Sequence, residues 1–400
     1  MRGQCGKKTG LDMPAGLPAG DVVRPTVESR LRGNGLMDMD SNHKHNDYRY
    51  WLAVCLAIRQ FDGIVYGYRE AAREHGGDDV PEMAYDDLLF LESNGDLYDI
   101  IDMMDPSQRP TWGLKNGGPE QQMMKAKGSS LQEPGAREEA AERLFRSIAL
   151  SGKCSALVKI TPDLKEIYMG HSTWDSFTAM LRIYKHYEFE LQQLQPAAQK
   201  ISFSSYPGEV FSDDDFYILS SKMVLLQTTN KIFNDDLFKH LKTDSVLSWQ
   251  RVRAANWLGS SGKEWVDVFK KKNSGTYNNQ YMVIDLKKFR PGEDALPGLL
   301  WVAEQIPGQV QSADMTRVLM MAAYWPSMNI PHFPKVYEAS GYPDFINQVS
   351  KQGKEFTKVS IMVFFSFYTW YYFRNSSLIE SRMKKKIKKK FCADNPLAIL

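Results

Sequence analysis

The chain has 400 residues, with 50 Lys+Arg against 48 Asp+Glu, and its net charge of +2 provides no bulk attraction for nucleic acid. Apolar residues make up 43% and aromatics 12%, enough for one large core or two ordinary ones, which excludes wholesale disorder. The four cysteines (Cys5, Cys55, Cys154 and Cys392) are scattered without a CxxC pair, so neither a structural zinc site nor a disulfide framework is expected.

Residues 1–45 are rich in Gly, Pro and Asp, lack periodicity, and read as disordered or non-native sequence. The basic residues near Met1 are followed by no apolar stretch, so no secretory signal peptide is read here. Residues 46–105 read as helical. Asn46-Asp47 caps a helix over 50–58, Gly63–Tyr68 leads into a helix over 69–75, residues 81–92 form another that stops at Ser93-Asn94-Gly95, and 96–101 a short one. Residues 106–135 form a Pro/Gly/Gln linker, and 137–150 an amphipathic helix or exposed arm. This 106–153 segment delivers Cys154 from an accessible stretch directly into a strand.

The stretch 154–160 and the stretch 166–169, joined by a turn at Thr161-Pro162-Asp163, read as a β-hairpin. Cys154 heads the first strand and His171 closes the second, so both lie at one end of the sheet. That arrangement is catalytic if the cysteine is exposed and an ordinary hairpin if it is not. Residues 177–194 show helical spacing, with Met180, Ile183, Tyr184, Tyr187 and Leu191 on one face. Strands follow over 201–206, 216–220 and 223–229, then helices over 236–242 and 246–258, and strands over 280–286 and 299–305. Antiparallel-looking strands with helices between them give an α+β fold. Residues 356–400 diverge in character. An apolar run over 359–373 precedes a Lys-rich block over 382–390. The run is shorter than the ~20 residues of a membrane span. The pair reads either as a lipid-surface contact or as translated intron, because Lys358-Val359-Ser360 is what a splice-donor consensus encodes.

A cysteine nucleophile needs a base within reach of its thiol. Cleavage of the bond before Cys154 would supply one, its own α-amine, with an ordinary pKa of about 8. Such a site also needs oxyanion donors, for which Asn329, fixed between Pro326 and Pro331, and the Thr- and Asn-rich pieces Thr228-Thr229-Asn230 and 273–280 are candidates. By composition the last two also read as turns. Asp213-Asp214-Asp215 lacks the spaced ligands of a calcium loop and reads as a solvated turn. No GxSxG, GxGxxG, P-loop or HExxH is present.

Several long strings occur in a fixed order: Cys154-Ser155-Ala156-Leu157-Val158-Lys159, Ile201-Ser202-Phe203-Ser204-Ser205-Tyr206-Pro207-Gly208, Asp214-Asp215-Phe216-Tyr217-Ile218-Leu219, Ser248-Trp249-Gln250-Arg251-Val252-Arg253-Ala254-Ala255-Asn256, and Glu304-Gln305-Ile306-Pro307-Gly308. In these the chain resembles the phospholipase B-like family, and in Leu226-Gln227-Thr228-Thr229-Asn230 its phospholipase B-like 1 branch. The resemblance implies a lysosomal or secreted glycoprotein with an N-terminal nucleophile hydrolase fold, an αββα sandwich that is incomplete here, its core over 154–355. It implies self-cleavage at Lys153/Cys154 into chains that stay associated, with a homodimer allowed. Cys154 is then nucleophile and base, His171 and Asn329 are catalytic, Trp174 and Thr229 line the pocket, and no metal or cofactor is needed. The substrate class is a phospholipid or another acylated small molecule, met at a lipid surface. The family's site arginine belongs to a Pro-Arg-Ala-Lys-like string beyond Phe345, and no such string occurs here. The alternative is therefore a truncated family member without activity, acting as a lipid-binding or interaction protein.

Overall fold

The computed structural model describes residues 42–75, 83–104, 153–174 and 180–352. The linker, the arm over 137–150, the first 41 residues and the tail after 352 lie outside the described residues. Helix α1 (Asn42–His75) begins inside the stretch expected to lack structure and unites the two helices read over 50–75. Its buried residues Tyr50, Val54, Ala57, Phe61 and Val65 recur every three to four positions and form one apolar stripe. Helices α2 (Tyr85–Glu92) and α3 (Asn94–Met104) follow, and Gly95 opens α3 rather than ending α2. The reason is packing, because a Cβ at Gly95 would lie 2.7 Å from the Tyr277 ring.

Two antiparallel sheets form the body. The smaller has the order β10-β1-β2, with β1 Lys153–Ile160, β2 Ile167–Trp174 and β10 Tyr324–Ser327. The larger runs in chain order from β3 to β9: β3 Ile183–Glu188, β4 Lys200–Ser205, β5 Phe216–Leu219, β6 Met223–Thr229, β7 Asn279–Asp285, β8 Leu300–Ile306 and β9 Gln309–Asp314. Alternation along these strands separates two cores. Val224, Leu226, Met282, Ile284 and Val302 face the small sheet, meeting Ala156, Val158, Ile160, Ile167 and Met169. Met223, Leu225, Tyr281, Val283 and Ala303 face the helices, meeting α1, α4 (Ser248–Leu258) and α5 (Gly262–Phe269). The layers are helix, sheet, sheet, an α+β arrangement. Strand β7, covered on both faces, is buried along its whole length. The C-terminal elements are α6 (Thr316–Ala322), α7 (Pro334–Ala339) and α8 (Tyr342–Gln352). Among the described residues no helix is long and apolar enough to cross a membrane.

One expected helix is a strand. Residues 183–188 pair in full with β4, from Ile183 opposite Ser205 to Glu188 opposite Lys200. The helical stripe in the sequence is real, but Tyr187 sets its ring edge-on to Phe203, at 5.1 Å between centroids, across a strand pair. Its two-sided polarity follows from its edge position, where one flank is unpaired. The helix read over 236–242 is a 3₁₀ turn at Asp235–His240. The expected strands over 201–206, 216–220, 223–229, 280–286 and 299–305 are β4 to β8 within a residue or two.

Candidate active site

The hairpin holds as read, with Cys154 opposite Thr173 and Ala156 opposite His171. Inward alternation carries Cys154 in phase with Ala156, and His171 in phase with Met169, so both side chains enter the space between the sheets. Cys154 is only 7% exposed. It is nonetheless no ordinary core cysteine, because titratable and amide groups from five segments converge on it.

Its backbone N–H donates to Asn329 Oδ1 at 3.2 Å, and its Sγ lies 3.5 Å from Asp215 Oδ2. The N–H of Thr229, at the end of β6, also points to the sulfur. Asn329 follows β10 in left-handed backbone, φ 61°, which asparagine tolerates better than most residues. Its Nδ2 donates to the Thr229 carbonyl at 2.6 Å, and its own carbonyl accepts from Tyr342 Oη at 2.9 Å. Asn329 therefore holds the nitrogen of Cys154 and the end of β6 together, and one of its amide hydrogens remains for an oxyanion. Trp174 ends β2 directly opposite Lys153, across the bond expected to be cut.

His171 Nε2 lies 2.9 Å from the Gln227 carbonyl. A carbonyl only accepts, so Nε2 carries the proton. Burial pushes the imidazole down to about 4, and His171 is neutral at any mildly acidic pH. The Cys154, His171 and Asp215 donor atoms all lie within 4.8 Å of one another. His171 could meet a metal only through Nδ1, since Nε2 spends its hydrogen on Gln227 and offers no lone pair there. Burial, then the Asp215 carboxylate, push the Cys154 thiol well above its ordinary range. At acidic and neutral pH the cysteine is therefore a thiol.

The acidic run is where the sequence reading fails. Asp214 and Asp215 are buried, at 4% and 1% exposure, not solvated. Asp214 Oδ1 collects Tyr206 Oη at 2.8 Å, Arg182 Nη1 at 2.8 Å and Thr173 Oγ1 at 3.4 Å. Asp213 accepts from Asn94 at 2.9 Å. Asp215 Oδ1 accepts from Tyr277 Oη at 2.7 Å. Composition marks a DDD run as a turn, and only tertiary packing turns it inward. The piece over 273–280 is likewise a turn, but a buried one, whose Tyr277 reaches into the site.

With this geometry in hand, the comparison with known proteins is decisive. A family model described as Phospholipase B matches residues 31–359. The chain belongs to the phospholipase B family. It is 42% identical over 300 residues to phospholipase B-like 1 of Homo sapiens, covering 75% of this chain and 48% of that protein. It is 37% identical to phospholipase-B 81 of Drysdalia coronoides over 313 residues, 78% of this chain and 51% of the relative. Phospholipase B-like protein C of Dictyostelium discoideum is 36% identical over 325 residues, 80% and 51% of the two chains. The chain thus spans about half the length of these phospholipase B relatives. The family match starts upstream of Trp51 and runs past Phe345, beyond the strings that carry the resemblance in sequence.

Buried acids are expected to make this phospholipase B chain more stable at acidic than at alkaline pH. Glu304 accepts Gln280 Nε2 and the N–H groups of His332 and Phe333, yet burial lifts it to about 7. Burial, then the Asp213 charge, lift Glu209 to about 10. Each binds its proton in the folded state while the unfolded carboxyl, at about 4.3, has lost it. Their stabilisation is full below the unfolded value and is lost as pH rises through the folded one, at about 1.4 kcal/mol per pH unit for each group. His171 works oppositely, but only between its unfolded value near 6.5 and about 4. Urea midpoints are expected to be higher at pH 5.5 than at pH 8, and a lower midpoint at 5.5 would contradict the assignment.

Proposed function

We propose that this chain is an acyl hydrolase of phospholipids whose nucleophile, Cys154, becomes N-terminal when the Lys153–Cys154 bond is cut, as in an N-terminal nucleophile hydrolase. The observation that carries this reading is the grip on both reacting atoms of one residue. Asn329 holds the Cys154 nitrogen, while Asp215 and the Thr229 N–H address its sulfur. A buried structural cysteine requires no hold on its backbone nitrogen from a side chain 175 residues away. A released α-amine would sit at that same Asn329 oxygen and take the thiol proton during attack on an ester carbonyl. Neutral His171 orients the end of β6 through Gln227, and Asn329 Nδ2, held at the Thr229 carbonyl, stabilises the oxyanion. The family resemblance assigns Thr229 and Trp174 to the acyl pocket. The family of the chain and the names of its relatives support phospholipids as substrate.

Cutting before Cys154 would leave two chains held by non-covalent contacts, among them the hydrogen bonds of Asn94 to Asp213 and of the Ser248 N–H to Asp96. Helix α1, on the N-terminal side, contributes Tyr50, Val54, Phe61 and Val65 to the same core as β4, β5 and α4. The acid-favoured stability supports a lysosomal or secreted route through an acidic compartment. The test is joint. N-terminal sequencing of the C-terminal fragment is expected to begin Cys154-Ser155-Ala156, and that preparation is expected to release fatty acid from phosphatidylcholine vesicles at acidic pH. A fragment beginning elsewhere, or release that does not depend on the cut, overturns the proposal.

A further inference from the structure

The proposed mechanism leaves one gap. Before the cut, the Cys154 nitrogen is an amide and cannot act as a base, so something else must take the thiol proton. His171 cannot do so at Nε2, which is already protonated and donated to Gln227. From the placement of the remaining groups we infer that Asp215, oriented by Tyr277, is the general base for self-cleavage before Cys154, an inference that rests on the self-cleavage reading above. Asp215 Oδ2 is 3.5 Å from Cys154 Sγ, and its Oδ1 accepts from Tyr277 Oη at 2.7 Å.

Two further observations support the assignment. Both members of the Asp215–Tyr277 pair sit in left-handed backbone, with φ of 64° and 51°. For a bulky tyrosine that conformation is costly, and strain of this kind persists only where the surroundings enforce it. The enforcement is visible at Gly95, where any Cβ would collide with the Tyr277 ring at 2.7 Å. Burial, then the neighbouring Asp213 charge, also hold the Asp215 carboxyl well above the usual carboxylate range and nearer the thiol it faces, which eases proton transfer between them. The charged and titratable groups around Asp215 are Cys154 from β1, His171 from β2, Tyr277 before β7, its neighbours Asp213 and Asp214, and, acting through charge, Tyr217 of β5 and Tyr281 of β7.

The step balances as follows. Asp215 takes the Sγ proton as sulfur bonds to the Lys153 carbonyl carbon. The bond from that carbon to the Cys154 nitrogen then breaks, and the nitrogen receives the proton from Asp215. The product is a thioester joining Lys153 to Cys154 Sγ, beside a free α-amine. Water attacks the thioester carbon, the carbon–sulfur bond breaks, one water proton returns to the thiol and the other goes to the new α-amine, and Lys153 leaves as a carboxylate.

The full chain, made by cell-free translation, tests this by time-resolved denaturing gels between pH 4 and 8. Asp215→Asn suits the positive φ. It is expected to cut about 100-fold or more slowly than the unaltered chain, while thermal melting stays cooperative. Tyr277→Phe removes the donor that lowers the Asp215 pKa, so the acid limb of its cleavage profile is expected to move to higher pH. An Asp215→Asn chain that cuts within threefold of the unaltered rate overturns the base assignment and leaves self-cleavage standing. An unaltered chain that never cuts overturns both. If Asp215→Asn does not fold, the Tyr277→Phe profile decides, and an unmoved acid limb overturns the inference.

Discussion

Replacing Cys154 by alanine is expected to leave the chain whole on a denaturing gel and to abolish acyl hydrolysis. The change removes one sulfur atom from the head of β1 and none of the backbone that Asn329 holds. Its effect on folding is therefore small, on the order of 1 kcal/mol for a single buried group. Its effect on chemistry is expected to be complete, because among the described residues the site holds no second thiol. Losing the nucleophile costs about 10⁴-fold or more in enzymes that use a nucleophile and base as a unit. Serine at this position keeps the geometry but offers a weaker nucleophile, so Cys154→Ser is expected to cut slowly rather than not at all. Intact mass and melting temperature read the two effects apart. A Cys154→Ala chain still split between Lys153 and Cys154 would sink the proposed function.

The largest loss of stability is expected at a residue with no part in the chemistry. Arg251 of α4 is fully buried, at 0% exposure. Its Nε donates to the Val246 carbonyl at 2.8 Å and Nη1 to the Phe269 carbonyl at 2.9 Å. Nη2 reaches Ser248 Oγ at 2.9 Å, Ser274 Oγ at 3.0 Å and Gln305 Oε1 at 2.5 Å. The guanidinium plane also lies 4.4 Å from the Phe269 ring centre. One side chain thus ties both ends of the α4–α5 unit to β8 and to the turn that presents Tyr277. Asp96 of α3, which accepts the Ser248 N–H at 3.0 Å at the N-terminal end of α4, attracts that charge from a distance. Arg251→Ala leaves several buried acceptors unpaired, isolates a buried carboxylate and opens a cavity. The expected cost is on the order of 4 kcal/mol or more, read as a fall in urea midpoint. Arg251→Lys is not expected to rescue it, because an ammonium cannot supply the planar fork. A midpoint for Arg251→Ala within about 1 kcal/mol of the unaltered chain would show that the network is redundant.

The same two residues show why the fold and the site differ in how far they can be read from sequence. Strands β4 to β8 and the Cys154–His171 hairpin were legible because period-2 alternation of apolar residues is a local signal, and sheet burial follows it directly. The helical reading of 177–194 fails at 183–188 because Ile183, Tyr184 and Tyr187 carry a helical spacing by coincidence, and the partner strand β4 decides between the two. Arg251 was legible only as part of a matching string, since nothing local distinguishes a buried arginine from a surface one.

At the site the division is sharper. Cys154, His171, Thr229 and Asn329 were singled out from residue type, turn placement and family resemblance, and the structure brings all four together. Asp215 and Tyr277 were not. An Asp-Asp-Asp run and an Asn/Thr-rich turn are, by composition, solvated segments, and their inward turn depends on partners 61 and 62 residues away. The residue types and the position of Cys154 at a strand start are inscribed in the chain, because covalent order and alternation are local. Which carboxylate meets the thiol, which histidine nitrogen keeps its proton, and which side of the cysteine is held are decided by tertiary packing, because burial and hydrogen-bond partners exist only once distant segments meet.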